Sequence, residues 1–426
     1  MEHSDTRYAR YVQILKEELL PAMGCTEPIA IAYAAAKARS VLGKVPERLL
    51  VEVSGNIIKN VKSVVVPHTG GLRGIPAAAA AGAVAGDPNA ELEVLSRVTE
   101  SEIAAMADYL KTAAIEVRHA DTGHIFDIQI TAFAGEDSAA VRIVDYHTNL
   151  VLIRRNGETL LEREITRAED GLTDRSFMTV EGIVDFAGSV ALSDVRETLE
   201  RQIAYNMAIA EEGLRHHYGA NIGKTLLRGH EDCLEYKMRA WAAAASDARM
   251  NGCELPVVIN SGSGNQGITT SVPVIVYARE TGKSEEELLR ALTVANLVTT
   301  HLKTGIGRLS AYCGAVSAGC GAAAGVAWLQ GGRFHKIAHV IVNAVAVTSG
   351  IVCDGAKASC AAKIAAAVDA GLLALAMYRD GNQFYGGDGI VKKGVENTIA
   401  NVGRLARFGM EQTDKEIISL MMETVN

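Results

Sequence analysis

Four of the seven cysteines in this 426-residue chain lie between positions 313 and 360, in the segments AYCGAVSAGCGAAAG and IVCDGAKASC. A thiolate is both a nucleophile and a soft metal ligand, so grouped cysteines invite either chemistry. Simple burial is the alternative, because a reduced cysteine also packs as a small apolar side chain in a bundle rich in alanine and glycine. Two details favour a site. Cys353 precedes Asp354-Gly355, a turn that ends an apolar run, and Cys360 follows at a spacing that lets a loop return to the same point. Cys320 stands between Gly319 and Gly321, which reads as space cleared around its sulfur. The paired C-x2-C spacings that zinc favours are absent. Three thiolates from separate elements suit an iron–sulfur cluster better, and three rather than four leave one iron open as a Lewis acid toward a leaving group.

Other residues offer weaker chemistry. GSGNQG, residues 262 to 267, fits G-x-G-x-x-G after an expected strand, but a second strand ending in an acid some twenty positions on, which a dinucleotide fold needs, is replaced by a capped helix at Ser284. A loop whose amides hold a small carboxylate, with Ser263, Gly264 and Asn265 as contacts, is the better reading. Cys25 falls in PAMGCTEPIA, at the joint of two expected helices. His68, in VVVPHTGGLRG, follows a strand end and is either a general base or a surface histidine. Lys357 is either an active-site cation or a solvated helix-start residue. The pairs His216-His217 and His335 with His339 read as structural or solvent-facing, since no acidic partner makes a zinc motif of them. There is no G-x-S-x-G elbow and no phosphate-binding G-x4-G-K-[ST] loop.

The elements that must position these groups fall into two halves. Apolar spacing predicts helices over residues 8–20, 29–41, 75–84 and 102–111, and LLVEVSGNIIKNVKSVVVP reads as two strands around Ser54-Gly55-Asn56. From 115 to 165 the period drops to two, with Asn156-Gly157 as a hairpin turn. Pattern fades around 168–189, a long helix follows, and the boundary is placed there. The second half is mostly helical: a strand at 254–260, a capping box of Ser284 with Glu287, and helical runs over 309–329, 334–347 and 357–377. The expected fold is therefore α+β, with an α/β domain over 1–190 that carries an antiparallel sheet, and a mainly helical catalytic domain over 191–426. A net charge of -8 and no Lys/Arg cluster argue against nucleic acid as a partner. The charged N-terminus lacks a secretory pattern and the apolar run at 337–353 is interrupted by polar residues, so the expectation is a cytoplasmic protein with no membrane association. Reduced thiols fit that compartment.

Taken together, GCTEPIAIAYAAA, NSGSGNQGITTSVPV, and GC followed by CDGAKASC resemble the L-cysteine desulfidase family, serine-dehydratase-like proteins also grouped as UPF0597 and related to the iron–sulfur L-serine dehydratases. The likeness runs nearly end to end. It implies breakdown of L-cysteine to pyruvate, ammonia and sulfide through a 4Fe-4S cluster, with a small amino acid as substrate and a homodimer as the assembly. By the same resemblance, Cys320, Cys353 and Cys360 become the cluster ligands, and Cys25 a fourth, exchangeable ligand or an acid–base group. Some of the dehydratases close the open iron with a C-terminal cysteine; this sequence, ending in METVN, is expected not to.

The implied reaction takes the proton from Cα while the leaving group departs from Cβ. The GSGNQG amides and Asn265 would hold the carboxylate, Thr26 and Glu27 the ammonium, and His68, Lys357 or Cys25 would act as base, His68 being preferred. Three rivals stand beside it: an L-serine dehydratase of the same mechanism, a non-enzymatic amino-acid or iron–sulfur sensor, and an alanine-rich scaffold whose cysteines are all core residues.

Overall fold

The computed structural model describes residues 1–165, 172–307 and 310–423, with Met23 by its backbone alone. Position 309 of the helical run expected over 309–329, and positions 168–171 of the stretch where pattern fades, lie outside the described residues.

Helix α1, Thr6–Glu18, starts where the Asp5 carboxylate accepts the Arg7 N–H at 2.9 Å, and leads into a three-residue strand, β1, Pro21–Met23. Helix α2, Thr26–Leu42, follows with Pro28 in its first turn, and stops at Gly43, whose φ of +84° ends the helix in the left-handed region. Strand β2, Arg48–Val53, buries Leu49, Val51 and Val53 on one face. The second strand expected after Ser54 is instead helix α3, Gly55–Val61. All seven of its residues are buried, so the apolar alternation that usually marks a surface helix is missing from its sequence. Helices α4, Gly74–Ala85, and α5, Glu100–Thr112, come next, the latter with a capping box of Thr99 and Glu102.

Strands β3, Ala114–His119, β4, Asp127–Ala134, β5, Asp137–Val144, β6, Leu150–Arg155, and β7, Glu158–Glu162, complete a six-stranded sheet in the order β3-β2-β4-β5-β6-β7. Only β2 and β3 are parallel. The β6–β7 hairpin turns at Asn156 and Gly157, both at positive φ (+50° and +85°), as an Asn-Gly turn requires.

The rest is helical: α6, Val180–Ser189; α7, Arg196–Arg215; α8, Ile222–Leu227; α9, Leu234–Met250; then strand β8, Pro256–Val258, and α10, Gly264–Glu280. Helix α11, Glu285–Ile306, opens with the expected Ser284–Glu287 capping box. Helices α12, Gly314–Leu329, α13, Phe334–Thr348, α14, Cys360–Arg379, α15, Val395–Arg404, and α16, Glu411–Met422, finish the chain. The architecture is α+β. One helix among the described residues, Cys360–Arg379, is long and apolar enough to cross a membrane, and 50% of that stretch is buried inside the protein.

Two large apolar cores form, beside a small cluster of Ala243, Ala361 and Ala365, and the chain passes between the two more than once. The first lies between the sheet and α2 with α4; the second gathers the helices from α6 onward and also takes Tyr8, Tyr11, Ile14 and Leu15 of α1. Strand β1 pairs antiparallel with β8, Pro21 opposite Val258, so the segment that leads to Cys25 is stitched to the segment that leads to GSGNQG. Met250 and Cys360, from the helical half, pack in the sheet-side core beside Cys25.

Candidate functional site

The thiols gather at that seam, and they do so at helix starts. Cys25 is the residue capping α2, Cys313 caps α12, and Cys360 is the first residue of α14. Cys353 joins them through a short backbone ladder: Tyr312 and Val352 form an antiparallel bridge, the Cys313 N–H donates to Ile351 O at 3.0 Å, and the Cys353 N–H donates to Ala311 O at 2.6 Å. The loop from 353 to 360 is held down by Gly355, at a φ of +91°, where a Cβ would lie 1.8 Å from the Lys59 carbonyl oxygen of α3. Glycine is required there on both counts.

The thiols act on one another electrostatically. Burial pushes the Cys313 thiol up to about 12, with Cys353 and Cys360 adding to the rise and the Lys363 ammonium opposing it. Cys360 is raised by burial and then by Cys353, against the pull of Lys357 and Lys363. Cys25 is held at about 12 by burial; Arg249 opposes this, while Glu27 and Cys360 add to it. Cys320 is not in this group. It lies mid-helix in α12, 1% exposed in the helical core, and burial alone lifts it to about 12. Its flanking glycines serve helix packing rather than the sulfur: a Cβ at Gly319 would meet the Ala367 carbonyl oxygen at 2.6 Å, and one at Gly321 would meet Thr299 Oγ1 at 2.0 Å. The structure thus brings Cys313, and not Cys320, to Cys353 and Cys360. Among the described residues no group of three or more His, Cys, Asp or Glu side chains could hold a single metal ion.

The GSGNQG segment forms a tight turn in which Asn260 and Ser263 exchange backbone hydrogen bonds of 3.2 and 3.1 Å, with Ser261 and Gly262 both at positive φ. Beneath it, Asn260 Nδ2 donates to Asn296 Oδ1 at 3.0 Å and Gln202 Nε2 donates to the same oxygen at 3.0 Å, a fully buried amide chain that fixes the turn. Helix α10 then starts at Gly264 with Ser263 as its cap and no side chain satisfying the first amides. Gln266 packs against Gly314, where a Cβ would lie 2.5 Å from Gln266 Cδ, so the start of α10 abuts the residue after Cys313. The Asn265 carboxamide points to α9: its Oδ1 accepts from Ser246 Oγ at 3.3 Å and from Arg249 Nη1 at 3.2 Å.

Arg249, in the last turn of α9, was not singled out from the sequence. It is 8% exposed, its Nη2 donates to the Gly24 carbonyl at 3.0 Å, and it ties the Cys25 loop to Asn265.

His68 is carried on a loop locked to Gly24, at a φ of +59°, where a Cβ would meet Pro67 Cγ at 2.5 Å. The His68 N–H donates to Glu254 Oε1 at 3.1 Å, Nδ1 lies 3.3 Å from the same oxygen, and Nε2 is buried with no partner. Thr26 Oγ1 donates to Glu27 Oε2 at 3.3 Å in the first turn of α2. Lys357 is engaged: its Nζ donates to the Asp354 carbonyl at 2.6 Å and sits 2.7 Å from the Asp354 carboxylate, which bracing turns it toward holding the thiol loop. Burial works against the Asp354 charge, and hydrogen bonds from Lys357 and Lys363 outweigh it, leaving this carboxyl below its ordinary value. His216 sits beside Glu212 at 3.7 Å, and His335 and His339 both meet Tyr378.

The chain is 58% identical to a UPF0597 protein of Desulfitobacterium hafniense, over 99% of this chain and 98% of the relative. It is 50% identical to a UPF0597 protein of Lachnoclostridium phytofermentans, over 97% and 100%, and 46% identical to one of Treponema denticola, over 99% and 100%. The family described as serine dehydratase alpha chain matches residues 89–419, a span that holds α10, Arg249 and the Cys313–Cys360 segment. The chain belongs to the serine dehydratase alpha chain family, the serine-dehydratase-like lyases.

Proposed function

We propose that this protein is an iron–sulfur-dependent β-elimination lyase that converts L-cysteine to pyruvate, ammonia and sulfide. The observation that carries the reading is the grouping of Cys313, Cys353 and Cys360, with Cys360 acting on Cys25, at the seam of the two cores beside the start of α10. The chemistry of the donor set suits a 4Fe-4S cluster: soft sulfur ligands only, from separate elements. Cys313, Cys353 and Cys360 would hold it, with Cys25 as the exchangeable fourth position. Bound there, the cluster supplies an iron with an open site, a Lewis acid toward the departing sulfur.

The chain's own residues account for the rest. The first amides of α10, at Gly264, Asn265 and Gln266, lack intrahelical partners and hold the substrate carboxylate. Glu27 and Thr26 face the substrate ammonium from the start of α2. His68 Nε2 takes the Cα proton, and Glu254 at Nδ1 fixes the tautomer that leaves Nε2 free to accept it. Loss of that proton and of hydrosulfide from Cβ gives aminoacrylate, which tautomerises and takes up water to yield pyruvate and ammonia. The assembly is proposed as a homodimer.

A second reading, L-serine dehydration at the same site, is favoured by the family's description. Anaerobic reconstitution with iron and sulfide, followed by sulfide release from L-cysteine and pyruvate formation from both amino acids, decides between them through the ratio of kcat/KM values. A fully reconstituted protein that makes pyruvate from neither would sink both and leave the sensor reading.

A further inference from the structure

Arg249 is a buried cation without a carboxylate. Other buried charges such as Lys59, Asp127 and Glu18 have counter-ions, in Asp414, Arg142 at 2.6 Å and Arg175 at 2.5 Å; the buried Asp247 carboxyl, held by the Gly223 N–H at 2.9 Å, has none, and burial lifts it toward its neutral form, a route closed to a guanidinium. Arg249 has only neutral acceptors, the Gly24 carbonyl and Asn265 Oδ1, and its Nε carries no hydrogen bond at all. Among the described residues no Asp or Glu forms an ion pair with it. An unpaired charge in the interior is costly, and is kept where an anion arrives to pair with it.

The position of Nε says where that anion sits. A Cβ on Gly264 would lie 2.3 Å from Arg249 Nε and 2.7 Å from its Cζ, so the guanidinium edge lies flat against the first residue of α10. Glycine at 264 makes that approach possible. The unpartnered Nε–H lies against the first residue of α10, whose opening amides have no side-chain cap, and the Arg249 charge also acts on the Cys25 thiol, so cation, amides and helix dipole share one locality.

We infer that Arg249 is the residue that binds the substrate's α-carboxylate, together with the α10 amides, and that it thereby limits this site to free amino acids. The inference rests on the lyase reading for the identity of the ligand. Its geometry also gives Arg249 a second consequence: the same guanidinium holds the Gly24 carbonyl, so carboxylate binding bears directly on the loop that presents Cys25.

The test uses the full-length reconstituted protein and two probes that cannot react, L-alanine and L-alaninamide, which differ at the carboxylate. Titration calorimetry should find L-alanine bound at least about 30-fold more tightly than the amide. In Arg249→Gln that preference should collapse, the L-alanine affinity falling by about 30-fold while the amide affinity stays within about twofold. Arg249→Lys, which keeps the charge and loses the planar fork, should fall between the two. Equal binding of both probes by the unmodified protein overturns the inference whether or not the variants fold. Equal loss of both probes in a folded Arg249→Gln, shown by unchanged circular dichroism and iron content, overturns it as well. Pyruvate formation is measured separately: if it fails while L-alanine still binds in an Arg249-dependent way, the lyase reading falls and the carboxylate site stands.

Discussion

Alanine at Cys313 and at Cys320, made separately, should have opposite consequences. Cys320 is 1% exposed in the middle of α12, and burial alone acts on its thiol. Its replacement removes one sulfur from a packed core, which by comparison with other single-group deletions costs about 1 kcal/mol. Alanine is the right probe, because serine would introduce a hydroxyl able to bond back to the carbonyl one turn earlier. Cys313 is more exposed and its loss costs the core less, but it removes the one thiol that interacts with Cys353, Cys360 and Lys363 together. Changes even in groups that only orient ligands lower metal affinity or activity by 10–100-fold. Loss of a ligand should exceed that, so Cys313→Ala is expected to lose bound iron and at least about 100-fold in pyruvate formation. Cys320→Ala should keep both within about twofold and melt only a few degrees lower. Gly321→Ala should destabilise more than Cys320→Ala, by about 1–3 kcal/mol, because its new Cβ would lie 2.0 Å from Thr299 Oγ1. Iron analysis and anaerobic activity on the purified variants are the assays. Full iron in Cys313→Ala with none in Cys320→Ala would refute the assignment.

Three further outcomes follow from the same geometry. Gly355→Ala must place a Cβ 1.8 Å from the Lys59 carbonyl at a φ of +91°, so the thiol loop should move and iron content should fall even though no ligand is changed; retained iron would count against the loop's role. Asp414→Ala leaves Lys59 buried without its partner, at a cost of about 3 kcal/mol, and amide exchange over Glu411–Met422 should quicken; an unchanged denaturation midpoint together with unchanged exchange would contradict this. Burial lifts the Asp247 carboxyl from 3.8 to about 6, against hydrogen bonds from Gly223 and Ile222. The folded protein therefore holds this proton where the unfolded chain releases it, and stability falls as pH rises from about 4 to about 6, by an amount of the order of 3 kcal/mol. Asp247→Asn should flatten that part of the stability–pH curve, and a slope that persists in the variant would assign it to another group.

Much of this arrangement is legible in the sequence, and what is not has physical causes. Ser284 with Glu287 and Asn156-Gly157 announced a helix start and a hairpin because those signals are local hydrogen bonds and dihedral preferences. Helix α3 was misread because burial on every side erased its periodicity. Arg249 stayed hidden because its partners, Gly24 and Asn265, are distant in sequence or belong to another helix. Cys320 looked attractive for its two glycines, but glycine beside a residue in an alanine-rich helix more often reports a neighbouring helix pressing close, here α14 and α11.

The signal that separates Cys313 from Cys320 was present in the sequence and is electrostatic. Cys25 precedes Thr-Glu-Pro, Cys313 precedes Gly314 at the head of an apolar run, and Cys360 opens the run that continues to Arg379. Each stands at a helix N-terminus, where unsatisfied amides and the helix dipole favour negative charge and lower the cost of forming a thiolate. Cys320, a mid-helix residue, has no such amides. The start of α10 points to the same region, which makes four helix N-termini directed at one seam between two cores. Such a convergence suits a group with several sulfur ligands and an incoming carboxylate, all negative, better than it suits any core of neutral side chains. Burial drives each of these thiols upward; Arg249 opposes it at Cys25, the Ala315 amide and Lys363 at Cys313, and Lys357 with Lys363 at Cys360, and metal binding there would release the thiol protons.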